Sequence, residues 1–431
     1  MSPHVPSLWA ETAPPRAPAP PLPGPAETDT VVVGAGFTGL SAALHLARRG
    51  RDVAVLEARA VGWGASGRNN GQVIPTLTAA EPDAWIARFG AAGERMARLV
   101  GASADLLFET VRREGIEAAA EQAGWFQPAH SPGRIALSRR RVDAWRSLGF
   151  PARLLDAEEA AQLLGSRFWH GGMLNPTGGH VNPLALARGL AAAAERHGAR
   201  IHEGTAATGI AHRGGRWRVE TPHGAVAARA LILATNAYTG EIAPGLAPRL
   251  ARSLIPVVSW QMATEPLGDN LRGHVLPGRQ AVSDTRGDLR FFRYDARGRL
   301  VTGGAVLPGP RAAERVRAKA ARGLAEAFPA LGEPRMTHLW SGYIGMSRDR
   351  FPHVHRLGPD GYAWMACNGR GVAFAVSLGR EIARAVDGEP MEALALPLSG
   401  PEPMPAHGLL RRAAPTYLAW MRRRDRTEMT E

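Results

Sequence analysis

TVVVGAGFTGLSAALHLARRGRDVAVLEARAVGWGASGRNNGQV, residues 30–73, is the stretch that decides the fold. Val31-Val32-Val33 is an apolar β-branched run of the kind buried on both faces of a parallel sheet. Gly34-x-Gly36-x-x-Gly39 follows at once, and an Ala/Leu-rich helical pattern runs from Phe37 to Arg49 before Gly50 stops it. Asp52 to Leu56 reads as a second strand with Glu57 at its end. Each glycine has a separate reason: Gly34 permits the tight turn, Gly36 lets the backbone approach a pyrophosphate, and Gly39 lets helix and strand pack closely. The helix N-terminus offers N–H groups and a partial positive charge to phosphates. Glu57 stands where an acid accepts hydrogen bonds from an adenosine ribose. A lone glycine triplet is a weak signal, but these parts in this order predict dinucleotide binding.

The bland alternative is a βαβ unit with a glycine turn and an exposed Glu57. It leaves Gly62-Trp63-Gly64-Ala65-Ser66-Gly67-Arg68-Asn69-Asn70-Gly71-Gln72 unexplained. That loop is dense in backbone donors, small residues and amide side chains, so it suits a large polar occupant. A permanently held flavin dinucleotide fits it better than a nicotinamide one.

At these residues the chain resembles the FAD-dependent amine and amino-acid oxidase family, the D-amino-acid oxidase-like proteins, and within it the γ-glutamylputrescine oxidase subgroup. The landmarks are VVVGAGFTGLSAALHLA (31–47), VLEARAVGWGASGRNNGQV (55–73), TGGHVNPLALARGLA (177–191), LILATNAYTG (231–240) and DRFPHVHRLG (349–358). They extend over roughly residues 7–425. Two positions depart from the subgroup. Asn70 stands where a second glycine is usual, and Arg370 replaces the histidine of a Gly-His-Gly-Val turn.

The resemblance implies an α/β flavoprotein, with a Rossmann-type FAD-binding domain and a second, mixed α+β substrate domain. The expected division places a Pro-rich arm at 1–29 and the FAD domain at 30–80, 150–250 and 335–395. The substrate domain takes 81–149 and 251–334, leaving a basic tail at 396–431. Cofactor contacts are expected first from Gly34, Gly36, Phe37, Thr38, Gly39, Glu57, Ala58 and Arg59. The following loop adds Gly64, Ala65, Ser66, Arg68, Asn69, Asn70, Gly71 and Gln72. Ala207 would line the adenine through its backbone, and Thr235, Asn236 and Gly342 complete the wall. Gly369, Gly371 and Val372 open a helix whose N-terminus can stabilise negative charge on a reduced flavin ring. FAD is expected to be held without a covalent bond, with Cys367 a small buried hydrophobe.

For the substrate side the candidates are His180, Trp260, Arg290, Arg293, Tyr294, Trp340, Tyr343 and Arg370, with His180, Tyr343 and Arg370 taken as catalytic. The expected reaction is hydride transfer from an amine-bearing carbon to flavin N5, giving an imine, with O2 reduced to hydrogen peroxide. The rival within enzymes is an amino-acid or N-methyl-amino-acid dehydrogenase that passes electrons to a carrier. The rival from another class is an FAD-binding regulatory protein without turnover. No metal site is expected, His353 and His355 being a weak ligand pair.

Composition sets the bounds. At 431 residues two intertwined domains are natural, and 45% hydrophobic with 21% charged residues is ordinary for a soluble globular protein. The net charge of +13 comes from scattered arginines, with Lys319 the single lysine. Without clustering or a motif, that charge does not predict nucleic-acid binding; an acidic small substrate stays open. One cysteine excludes an internal disulfide. No run of eighteen uncharged apolar residues predicts a transmembrane helix, and no secretory leader pattern opens the chain, so cytoplasm is the expected compartment. Oligomeric state is not legible. Residues 409–425 form a basic amphipathic helix that either lies on a membrane surface or packs Tyr417, Leu418 and Trp420 on the body.

Overall fold

The structure is a computed structural model and describes residues 4–77, 81–288, 290–307 and 309–430. Strand Ala26–Val33 is the centre of the first sheet. Parallel partners flank it on both sides, Val53–Leu56 in the register Val31↔Ala54 and Gly224–Leu233 in the register Val31↔Leu231. Arg200–His202 and Gly361–Met365 extend the parallel set outward. Among the described residues this sheet has nine strands, with antiparallel additions at its margins. Val31 and Val32 have no solvent exposure, as a strand covered on both faces requires.

The first helix, Phe37–Ala47, lies against this sheet because Gly39 carries no side chain. A Cβ there would collide with the Gly34 carbonyl. A second helix, Val372–Val386, packs on the first with Ser41 Oγ donating to the Val376 carbonyl at 2.6 Å. Pro183–Arg196, with proline at its favoured first turn, packs on the other side.

The second sheet has eight strands among the described residues, in the order Met336–Met346, Ile255–Pro266, Arg299–Gly304, Phe291–Tyr294, Ala281–Ser283, Trp125–Pro128, Gly172–Asn175 and Arg153–Leu155. Its own core gathers Phe126, Trp169, Met262, Phe292, Leu300 and Phe328. A two-stranded ribbon, Gln72–Val73 with Gly179–His180, lies beside it.

The expected division of the chain changes here. Strands at 153–155, 172–175 and 336–346 pair in the second sheet, not with the cofactor strands to which sequence order assigned them. Residues 224–233 form one continuous strand. Its first half pairs antiparallel with Arg216–Thr221 and its second half parallel with Gly361–Met365. Helix Pro82–Gly101 is interrupted at Gly90, whose φ of 55° and ψ of −133° are non-helical.

The N-terminal arm is more than a spacer. Leu8–Thr12 is a short helix capped by Ser7, and Leu8 and Trp9 are buried. Trp9 meets Trp340 edge-on at 5.6 Å and donates its indole N–H to the Asn69 carbonyl at 2.7 Å. The proline-rich run then crosses the body through Ala19 N–H to Glu203 (2.7 Å) and Leu22 N–H to Thr205 (3.0 Å). No helix among the described residues is long and apolar enough to cross a membrane.

Trp9→Ala removes a buried indole and one fixed point of the 62–72 loop. Its expected cost is about 3–5 kcal/mol, read as a lower midpoint in denaturant or thermal unfolding. An unchanged midpoint would refute the arm's structural role.

Candidate active site

A cavity of about 730 Å³ runs between the two sheets. Its floor is the glycine turn. Gly34 N–H donates to the Leu56 carbonyl (2.8 Å), placing the turn at the ends of adjacent parallel strands, where open α/β sheets bind ligands. Gly36 caps the Phe37–Ala47 helix without a side-chain bond. Glu57 accepts from Ala35 N–H (2.8 Å) and Arg59 N–H (2.9 Å), and burial pushes its carboxyl above the usual carboxylate range.

The loop beyond is held from inside and outside. Phe37 N–H donates to Ser66 Oγ at 2.9 Å, and Gly62 N–H to the Ala35 carbonyl at 2.9 Å. Asn69 Oδ1 accepts from Gly71 N–H (2.7 Å), and Asn70 Oδ1 from Gln72 N–H (2.9 Å). Successive loop carbonyls are then taken by distant side chains: Arg68 by Trp340 Nε1 (2.8 Å), Asn69 by Trp9, and Asn70 by Arg293 Nε (2.8 Å). Asn70 therefore serves as a turn-forming amide at a position whose φ is not positive, so a glycine is not required there. Gly71 is different. At φ +78°, its added Cβ would strike the Val181 carbonyl and the Arg293 guanidinium.

The opposite end carries the second glycine turn. Gly369 has φ +89°, and Gly371 caps the Val372–Val386 helix. Asn368 pins that turn to the strand Met336–Met346 region through its N–H to the Gly345 carbonyl (2.9 Å) and its Oδ1 from Ser347 N–H (3.0 Å). The roof is the second sheet, with Ser259, Gln261, Ser283, Phe291 and Tyr343 on the cavity wall. Tyr343 N–H donates to Tyr238 Oη at 3.2 Å, and the two rings sit 5.5 Å apart. Burial raises the Tyr238 hydroxyl above its ordinary value, so it stays protonated.

Most of the expected cofactor residues reach this wall: Gly34, Gly36, Phe37, Thr38, Glu57, Ala58, Gly64, Ala65, Ser66, Arg68, Asn69, Asn70 and Gln72, with Ala207, Thr235, Asn236, Gly342, Gly369, Gly371 and Val372. Gly39, Arg59 and Gly71 do not line it, and the two glycines act instead by permitting close packing. Buried polar atoms on the wall, among them Arg68 Nη2, Gln72 Oε1, Asn236 Oδ1, Gln261 Oε1 and Trp364 Nε1, have no hydrogen-bond partner among the described residues. Such atoms suit an occupant with its own donors and acceptors, and a flavin dinucleotide has both.

The substrate candidates divide. Tyr343 and Arg370 line the cavity; His180, Trp260, Arg290, Arg293, Tyr294 and Trp340 do not. His180 is a correction. It is buried in the two-stranded ribbon with Nε2 at 3.3 Å from the Arg279 carbonyl and 3.7 Å from Glu121, so it has no route to a substrate there. Arg293 and Trp340 hold the loop, and Tyr294 donates to the Val275 carbonyl. Arg370 donates to Thr76 Oγ1 (2.6 Å) and the Leu77 carbonyl (2.8 Å) and lies 4.9 Å from the Trp125 ring centroid. Burial pushes its guanidinium down to about 9.

Sequence reasoning missed Gln127, Arg134, Arg141 and Arg350, and the Tyr417, Met421 and Arg424 side chains of the last helix, all on the wall. One signal was available. In helix Arg134–Ser147, Arg141 falls in a buried 138, 141, 142, 145 stripe, a core position for a charged side chain. The tail, helix His407–Thr430, buries Met421 and Asp425 while Tyr417 and Trp420 stay exposed. The expected packing on the body is met in part: Leu418 is half-buried and Tyr417 lies on the cavity wall, whereas Trp420 is largely exposed.

The family model DAO, FAD dependent oxidoreductase, matches residues 29–385. The gamma-glutamylputrescine oxidoreductase of Escherichia coli (strain K12) is 32% identical over 391 residues, 90% of each chain. The solved L-proline dehydrogenase from P. horikoshii has a TM-score of 0.72 at 21% identity, covering 86% of this chain and 96% of that one. The glycine oxidase from Geobacillus kaustophilus has a TM-score of 0.69 at 22% identity with the same coverage. At those identities the two structures show the fold alone.

Gly71→Ala is expected to yield protein with little bound flavin, read from the ratio of visible to ultraviolet absorbance. Full flavin content in that variant would contradict the close packing described at Gly71.

Proposed function

This chain belongs to the FAD-dependent oxidoreductase family, and from that premise we propose that it oxidises the C–N bond of an amine or amino acid, of γ-glutamylputrescine type, with O2 as acceptor. One observation carries the reading. The glycine turns and the second-sheet wall of Ser259, Gln261, Phe291 and Tyr343 open onto one cavity, so a cofactor and a small substrate can meet there.

In this reading the Phe37–Ala47 helix N-terminus holds the pyrophosphate, Glu57 the ribose and the Ala207 backbone the adenine. Loop residues 64–72 and the turn at 369–372 hold the flavin end. FAD supplies the two-electron acceptor for C–N oxidation. The chain's own part is binding, orientation and electrostatics. The Val372–Val386 helix points its N-terminus, with its partial positive charge, at the cavity and favours negative charge developing there. Phe291 and Tyr343 give an apolar slot for a methylene chain, while Gln261 offers an amide oxygen to an ammonium or amine N–H. Arg370, with its guanidinium engaged by Thr76 and Leu77, shapes the wall.

A similarity to γ-glutamylputrescine oxidation at 32% identity supports the substrate type. The test is anaerobic addition of γ-glutamylputrescine, putrescine, sarcosine and D- and L-amino acids to the yellow protein, followed by air. Bleaching by an amine with prompt recovery in air is the expected result. Recovery only with an artificial carrier would assign a dehydrogenase, and a flavin that no amine bleaches would overturn the reading.

A further inference from the structure

The last helix brings cationic charge to the cavity mouth. Arg350 and Arg424 both line the cavity and are half-buried. Each guanidinium lies over one member of an aromatic pair, Arg350 at 5.3 Å from the Tyr417 ring and Arg424 at 5.3 Å from the Trp420 ring. Those two rings stack at 5.5 Å with 28° between their planes. The aromatic pair thus fixes two like charges beside one opening.

Nearby acids are already engaged. Asp349 pairs with Arg88 (2.6 Å) and His353 (2.9 Å). Glu428 is held by both arms of Arg134 (2.7 and 2.6 Å) and stands 3.4 Å from Arg424. Asp425 accepts the N–H groups of Gly287 (2.9 Å) and Asp288 (2.8 Å) and stands 3.8 Å from Arg424. Arg350 has no carboxylate partner among the described residues. Burial and then the neighbouring Arg424 depress its pKa.

Resting on the amine-oxidation reading above, we propose that Arg350 and Arg424 form an acid-group subsite, which selects amines carrying a carboxylate remote from the reacting nitrogen. Tyr417 and Trp420 are exposed, so the subsite lies at the solvent end of the cavity. The carboxylate stays at the mouth while the amine reaches inward. A guanidinium recognises a carboxylate through charge-assisted hydrogen bonds, and an amine without an acid group makes none of these.

The test uses the flavin-loaded full chain and two readouts. Glutarate, a dicarboxylate that cannot be oxidised at a C–N bond, is titrated against the flavin spectrum. KM is measured for γ-glutamylputrescine and for putrescine, which lacks the acid. Arg350→Gln and Arg424→Gln, checked for normal flavin content, are each expected to weaken glutarate binding by about tenfold. They should raise KM for γ-glutamylputrescine by a similar factor and leave putrescine within about twofold. Glutarate that does not bind, or binds both variants as it binds the parent, overturns the subsite. Loss of glutarate binding in the variants with neither amine oxidised would uphold the subsite and reject the reaction. Turnover unaffected by either substitution would do the reverse.

Discussion

One buried guanidinium sets the relation between the two sheets. Arg293 has 2% of its surface exposed and sits in strand Phe291–Tyr294 of the second sheet. Its donors reach the carbonyls of Asn70 (2.8 Å), Val181 (2.8 Å) and Tyr294 (2.9 Å), and it lies 4.6 Å from the Trp9 ring centroid. Burial lowers its pKa to about 9, which still leaves it charged at neutral pH. A buried charge is tolerated only when its donors are satisfied, and here backbone carbonyls and an aromatic face do so. That demand fixes the loop after the parallel sheet, the segment before helix Pro183–Arg196 and the N-terminal arm at once. Gly71 must be small for the same reason.

Within that frame two helices aim at one cavity. Phe37–Ala47 and Val372–Val386 each begin on a glycine, and each first turn lies on the wall. They pack through Gly379, where a Cβ would press on the Thr38 carbonyl. Two partial positive charges then face one cavity, one suited to phosphates and one to negative charge gained on reduction. The second sheet closes the space with a mixed apolar and amide surface. In the proposed reading this arrangement would give FAD a fixed electrostatic setting and leave the substrate's shape to the second sheet and the last helix.

The glycine-turn side of the cavity was legible because its physics is local. Gly34, Gly36, Gly39 and Glu57 act through turn geometry and strand ends, which sequence spacing encodes directly. The substrate half depends on which distant segments meet. Arg293 and His180 had the right chemistry for a substrate and turned out buried behind the wall, because residue type does not report the direction a side chain takes. Arg350 and Arg424 were passed over because they are two arginines among many, and only the fold brings them to one rim. The N-terminal arm was expected only as a Pro-rich segment, a composition that gives no sign of the short helix at Leu8–Thr12 that carries Trp9 into the core.

The most direct test of the central claim is a crystal structure of the purified yellow protein. The account predicts one FAD per chain in the cavity between the sheets. Its adenosine should lie by Glu57 and Ala207, and its ring system between the 64–72 loop and Gly369–Val372. Flavin density outside that cavity, or a cavity that stays without flavin in protein saturated with FAD, would contradict it.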